Sequence, residues 1–199
     1  MDWQNILFLY VVVVLSAVIH EYAHAWAAFR QGDSTAKYAG RLTLNPLAHI
    51  ELWGTVLLPL LLLFFFQFFF GYAKPVPINP YNFRDQRRGI IWVSIAGVAA
   101  NFLIAILLSL VVRFLPSFVL NPFLAFIVQV NIWLGLFNLL PFPPLDGSKL
   151  LLALADFKSQ HWTGLVEFLS KPVGVILAIF IAMTFLPYVA NWLVRLLLI

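Results

Sequence analysis

The run ILFLYVVVVLSAVIHEYAHAWAAF, residues 6–29, is apolar along almost its whole length and carries HEYAH at 20–24. It is long enough to cross the ~30 Å hydrocarbon core of a bilayer as a helix. His20 and His24 are four residues apart, so a helix puts both imidazoles on one face, one turn apart, where they can hold one metal ion. Glu21 is rotated about 100° from His20 and can reach a water on that metal. Two imidazoles and a carboxylate in a membrane-spanning helix cost on the order of several kcal/mol unless something compensates. A bound divalent cation compensates. HExxH also turns up by chance in soluble helices that bind nothing, but inside an apolar span three polar side chains need partners. The pentapeptide therefore points to a zinc hydrolase working within a membrane.

Composition bounds the fold. The 199 residues are 63% hydrophobic and 10% charged, with 20 phenylalanines, more apolar surface than a soluble domain of this size can hide. The reading is an all-α polytopic membrane protein: one membrane domain over 1–199, with no room between its apolar segments for a PDZ-sized or nucleotide-binding insert. There is no cysteine, hence no disulfide framework. A zinc site here must use imidazole and carboxylate, which suits catalysis better than a closed thiolate site. The net charge of +4 comes from basic residues flanking apolar segments. That is a topology signal and not a nucleic-acid one. The start MDWQN has no basic region, and no small-residue cleavage site follows the apolar run, so no removable signal peptide is expected.

Further along, residues 31–50 are polar, with Gly32, Gly40 and Pro46, and the partly alternating stretch 39–44 reads as a small strand or β-hairpin. Residues 56–70 are very apolar but short, and 71–88 are proline-rich and extended. Spans follow at 89–112 and 118–140, the latter ending at Pro141, Pro143 and Pro144. A helix restarts at 145–156, with Asp146 placed to cap it. Residues 161–170 read as a short interfacial helix, and 173–198 as a last span kinked near Pro187.

Lys and Arg concentrate in 30–50, 71–88 and 147–171, which the positive-inside rule places in the cytoplasm, with both termini outside. If loops 30–50 and 71–88 are both cytoplasmic, the segment 52–70 does not cross. It is re-entrant, returning near Pro59 or Gly71, and about four full transmembrane helices remain. The spans 6–29 and 118–140 then run in the same direction, as a metal shared by Glu21's helix and Asp146 requires.

A catalytic zinc usually takes three protein ligands and keeps one position open. The candidates for the third are Asp146, His49, His161, Glu51 and Asp85. His49 and Glu51 lie in a cytoplasmic loop and read as ordinary polar surface. His161 sits beside Trp162 on the interfacial helix. Asp146 differs, because it follows a proline-broken span, and backbone breaks at membrane depth occur where the chain lines a site or cavity. Capping and ligation can coexist there.

On HEYAHAWAAFRQGD (20–33), GRLTLNPLAHIELWGT (40–55), AKPVPINPYNFRDQRRG (73–89), SIAGVAANF (94–102) and FNLLPFPPLDGSKLL (137–151), the chain resembles the site-2 protease family of intramembrane zinc metalloproteases, especially small prokaryotic members without PDZ or CBS domains. The resemblance implies one catalytic Zn2+ on His20, His24 and Asp146, Glu21 as general base and a role for Asn138 in the site. It also implies a transmembrane protein substrate, cut within or near its spanning segment, and a home in a prokaryotic cell membrane with the active site toward the cytoplasm. One departure is visible: the family often has proline after the Ala-Gly of the third stretch, where Val98 follows Gly97 here.

Two other classes compete. A zinc transporter would place the His/Asp set on a permeation path, yet it needs no Glu beside the first His, and no second acidic site is visible. A non-catalytic membrane scaffold with a degenerate site would lack a ligand or the base, and all are present.

Overall fold

The computed structural model describes residues 3–66, 71–154, 164 and 167–199. The chain divides into two compact units, Met1–Gln86 and Arg87–Ile199. Among the described residues all regular structure is helical. Three helices are long and apolar enough to cross a membrane, or four if a bent pair counts as one span. The expected interfacial helix at 161–170, with His161, falls largely outside the described residues.

The first unit opens with α1 (Trp3–Gln31), which holds the HEYAH motif. Leu7, Val11 and Leu15 recur every four residues along it and are exposed, an apolar stripe that suits lipid. The helix stops at Gly32, whose φ of 111° is left-handed. The Gly32 N–H donates to Phe29 O and the Asp33 N–H to Ala28 O, the paired closure that a glycine just past a helix end permits. The short α2 (Thr35–Tyr38) closes the same way at Gly40, φ 67°, with Gly40 N–H to Lys37 O and Arg41 N–H to Ala36 O. These closures overturn the β-hairpin expected at 39–44. The backbone groups of Gly40 and Arg41 bond back to α2, and the Arg41 guanidinium donates to Ala48 O.

A π-helical turn (Leu52–Leu57) runs into α3 (Leu58–Phe66). Together they make roughly 20 Å of helix, short of the ~30 Å a full span needs. By Gly71 the chain is back where it started. The Tyr72 N–H donates to Gly54 O at 3.1 Å, and the Thr55 hydroxyl donates to Tyr72 O at 3.0 Å. Both glycines allow this approach: a Cβ on Gly71 would sit 2.6 Å from the Pro59 ring, and one on Gly54 would overlap the Tyr72 ring.

The chain then runs extended along the second half of α1. Asp33, fully buried, is the anchor. Its carboxylate accepts from the Asn79 N–H at 2.7 Å, the Asn82 amide at 2.8 Å, and both the hydroxyl and the N–H of Thr35. The Arg84 N–H donates to Gln31 O at 2.9 Å. Burial pushes the Asp33 carboxyl upward, but the donated hydrogen bonds from Thr35, Asn79 and Asn82 outweigh it and hold the group below the ordinary carboxylate value.

The second unit contains α4 (Gln86–Phe114), α5 (Asn121–Asn138), α6 (Asp146–Leu154), α7 (Pro172–Thr184) and α8 (Leu186–Leu198). Its core is Ala105, Val128, Ile132 and Ala190, packed by Leu108, Trp133, Leu136 and Leu193. Gly135 lets α5 meet the Phe102 ring on α4, since a Cβ there would lie 3.1 Å from it. α7 and α8 meet at a 44° bend beside Pro187, where the kink was expected. Between α4 and α5, the Asn101 amide donates to Asn131 Oδ1 at 3.0 Å, and the Asn131 amide donates to Ile127 O at 2.9 Å. Both asparagines are fully buried.

Two predictions follow from these anchors. Asn101→Ala removes a donor from a buried interhelical bond and should cost about 1 kcal/mol in reversible unfolding in detergent; an unchanged midpoint would mean that the pair adds nothing. For Asp33 the native pKa is depressed, so the unfolded state binds more protons as pH falls. Its contribution is complete above about pH 4 and lost as pH drops through the lowered native value. Asp33→Asn should destabilise the protein by about 1–3 kcal/mol at neutral pH and flatten its acid dependence below pH 4. Denaturation midpoints measured against pH check both parts.

Candidate metal centre

In the first unit, α1 holds its ionisable motif inside a helix that is apolar from Ile6 to Phe29 apart from Ser16, the tyrosines and the motif itself. His20 and His24 are 6% and 5% exposed. Their rings stand edge to face, centroids 4.5 Å apart and planes at 85°, with the two Nε2 atoms 2.9 Å from each other. Two imidazole lone pairs aimed at one point repel unless a proton or a cation lies between them. The separation is slightly under the roughly 3.3 Å edge expected of two nitrogens about 2.05 Å from one tetrahedral zinc. This donor pair fits a zinc ion, and its helical spacing holds the convergence without help from any loop.

Glu21 projects to one side of that pair. Its Oε2 accepts the Val76 N–H at 2.8 Å. Val76 lies between Pro75 and Pro77, neither of which has an N–H, so it is the sole backbone donor in that tripeptide and it is directed at the motif's carboxylate. Just before it, the Lys74 N–H donates to His49 O at 2.9 Å. His49 is therefore not the polar surface residue its loop position implied. It is 1% exposed, its Nε2 bonds Thr43 O at 2.9 Å, and its main chain supports the segment that reaches Glu21. The carbonyl partner makes Nε2 the protonated nitrogen. Nothing in the residue's immediate sequence distinguishes such a histidine from an exposed one.

In the second unit, Asp146 is the first residue of α6 and is 5% exposed. It follows the turn of Pro141, Pro143 and Pro144, in which the Pro143–Pro144 peptide is cis. Gly147 is required next to it: a Cβ there would lie 2.1 Å from Leu139 O. The Lys149 ammonium sits 3.1 Å from Asp146 Oδ1, with its side chain 55% exposed. Asn138, at the end of α5, donates from Nδ2 to Leu134 O at 2.9 Å. The amide nitrogen carries a second hydrogen beside the one given to Leu134 O. Glu51 begins the π-helical turn, its N–H donating to the Thr55 hydroxyl.

The chain is similar to known proteins. A family model, peptidase family M50, matches residues 116–181. YwhC of Bacillus subtilis (strain 168), which carries a zinc metalloprotease name, is 38% identical over 154 residues, covering 72% of this chain and 67% of its own. Rip2 of Mycolicibacterium smegmatis, named likewise, is 33% identical over 137 residues. That match covers 67% of this chain and 52% of Rip2, so the chain spans about half of that relative's length. Zinc metalloprotease MJ0392 of Methanocaldococcus jannaschii is 23% identical over 175 residues, 86% of this chain and 42% of its own. No solved structure matches significantly. With an apolar helix that buries a convergent imidazole pair, and a relative of this identity and coverage, the chain belongs to peptidase family M50, the site-2 protease family of membrane zinc metalloproteases.

Proposed function

We propose that this protease hydrolyses peptide bonds within or near transmembrane segments of other membrane proteins, with one zinc held by His20, His24 and Asp146 and with Glu21 as general base. The observation that carries the reading is the buried His20–His24 pair beside Glu21 in a helix apolar enough to span a membrane. Three buried ligands, two neutral imidazoles and one carboxylate, leave a fourth position open, as catalytic zinc sites do. Zinc held there supplies Lewis acidity, acidifying water and polarising a carbonyl. Glu21 takes the proton of the attacking water and delivers it to the leaving amine. The Val76 N–H holds one carboxylate oxygen and leaves the other for that work. Asn138 offers its second amide hydrogen to the substrate carbonyl as negative charge builds on it. A helical substrate hides its carbonyls, so it must unwind locally before attack. A transporter reading has no use for a carboxylate oriented beside the imidazoles.

The site faces the cytoplasmic side of a prokaryotic cell membrane in this reading, because basic residues concentrate in 30–50 and 71–88. The segment 52–70 is re-entrant. Its helix is short, and Tyr72 bonds Gly54 at the segment's own start. The catalytic unit is the single domain 1–199, and lipid and a transmembrane protein substrate are its partners.

Glu21→Gln should abolish cleavage of a transmembrane substrate in detergent, by at least about a hundredfold, and leave bound zinc at wild-type stoichiometry. His20→Ala, His24→Ala and Asp146→Ala should each lose activity and bind zinc far more weakly, with His20 and His24 giving Asp146→Ala a residual affinity that remains measurable. Strong cleavage by Glu21→Gln would sink the base, and normal zinc content in Asp146→Ala would sink the third ligand. The topology is tested on the naturally cysteine-free chain. A single cysteine at 74 or 84 should react only with a reagent on the cytoplasmic face, and labelling from the outer face would show that 52–70 crosses.

A further inference from the structure

Three arginines, Arg84, Arg87 and Arg88, crowd the start of α4. Membrane topology accounts for their presence in the loop. It does not account for a cation in the first turn of a helix, where the positive end of the peptide dipoles disfavours it. The first turn of α4 itself holds no acidic residue, and Asp85 stands immediately before it. The structure shows where one of these charges goes. Arg87 Nε donates to Ala153 O at 2.8 Å and its Nη2 donates to Leu154 O at 3.0 Å. Those are the last two described residues of α6, whose last described turn holds no basic residue. The guanidinium fork thus meets two successive carbonyls in the last described turn of α6, where the peptide dipoles favour a cation.

The described part of α6 is nine residues long and begins with Asp146. Its first turn is seated against the preceding backbone, with Gly147 pressed on Leu139 O and the Ser148 hydroxyl donating to Leu145 O at 2.7 Å. Its far end, roughly 10 Å along the axis, is gripped by Arg87. Contacts at these two points, the Asp146 end and the Ala153–Leu154 turn, resist sliding or tilting of the helix between them.

We propose that Arg87 is a positioning residue for Asp146: by forking onto Ala153 O and Leu154 O it fixes the helix that presents this carboxylate to zinc. The proposal rests on the reading of Asp146 as a ligand. Lysine cannot replace arginine in this role, because an ammonium is a point charge without the planar fork.

The test is zinc affinity of the intact enzyme in detergent, measured by competition with a chromophoric chelator. Arg87→Ala and Arg87→Lys should each weaken binding about ten- to a hundredfold. Arg84→Ala, which removes an equal charge from the same loop, should leave it unchanged. In an Asp146→Ala background, adding Arg87→Ala should weaken zinc no further, since the residue acts through that ligand. A full additional loss in the double variant would make Arg87 a general structural residue and overturn the proposal. Wild-type affinity in Arg87→Lys would overturn the fork. If Arg87→Ala does not fold, Arg87→Lys carries the comparison in both backgrounds. Undiminished zinc binding by Asp146→Ala alone would instead bring down the ligand reading beneath, while loss there with no effect at Arg87 would defeat only this inference.

Discussion

Hydrocarbon offers no hydrogen bonds, so every polar group placed at membrane depth must find its partner within the protein. That constraint is sharpest at His20, Glu21 and His24, three ionisable side chains on a helix whose remaining residues up to Phe29 are almost all apolar. The imidazoles converge on each other at 2.9 Å, and Glu21 takes the one backbone donor that the Pro75–Pro77 stretch retains. In the proposed reading, a metal ion held by the imidazoles offsets the cost of burying them.

The same constraint explains where the chain breaks. Prolines 75 and 77, and 141, 143 and 144, sit in the non-helical stretches beside the motif carboxylate and Asp146. A proline has no N–H to satisfy, so a run of them makes an extended strand with few donors, one that can lie beside buried residues at low cost. What polar groups remain are anchored. Asn79 and Asn82 bond Asp33, Lys74 bonds His49, and the loop is tied to the end of α1 by Arg84 and Gln31. Glycines serve the opposite need, close approach, at Gly54, Gly71, Gly135 and Gly147.

Within the second unit, helices associate without the hydrophobic driving force that water provides, and the means are small residues and buried amides. Ala105 and Ala190 are fully buried in the core, and the Asn101–Asn131 bond crosses between α4 and α5. The large apolar side chains point outward instead, as Leu103, Leu107 and Leu110 do on α4.

Much of this was legible in the sequence, because hydropathy and local spacing report on forces that act along the chain. The apolar runs identified the long helices and the bend at Pro187. The i, i+4 spacing of His20 and His24 dictated their convergence, since a helix has one geometry. Proline and glycine around Asp146 marked a break at a helix start. The hairpin expected at 39–44 failed because alternation is a weak signal over so few residues, and two left-handed glycines closed α1 and α2 by local hydrogen bonds instead. His49 was misread as surface for a different reason, since burial depends on what lies across from a residue and not on its neighbours in sequence. The bonds from Val76 to Glu21, from Asn79 and Asn82 to Asp33, and from Arg87 to Ala153 and Leu154 of α6 join residues 46 to 67 positions apart. No local pattern encodes such pairings, and only the packed chain decides which donor meets which acceptor.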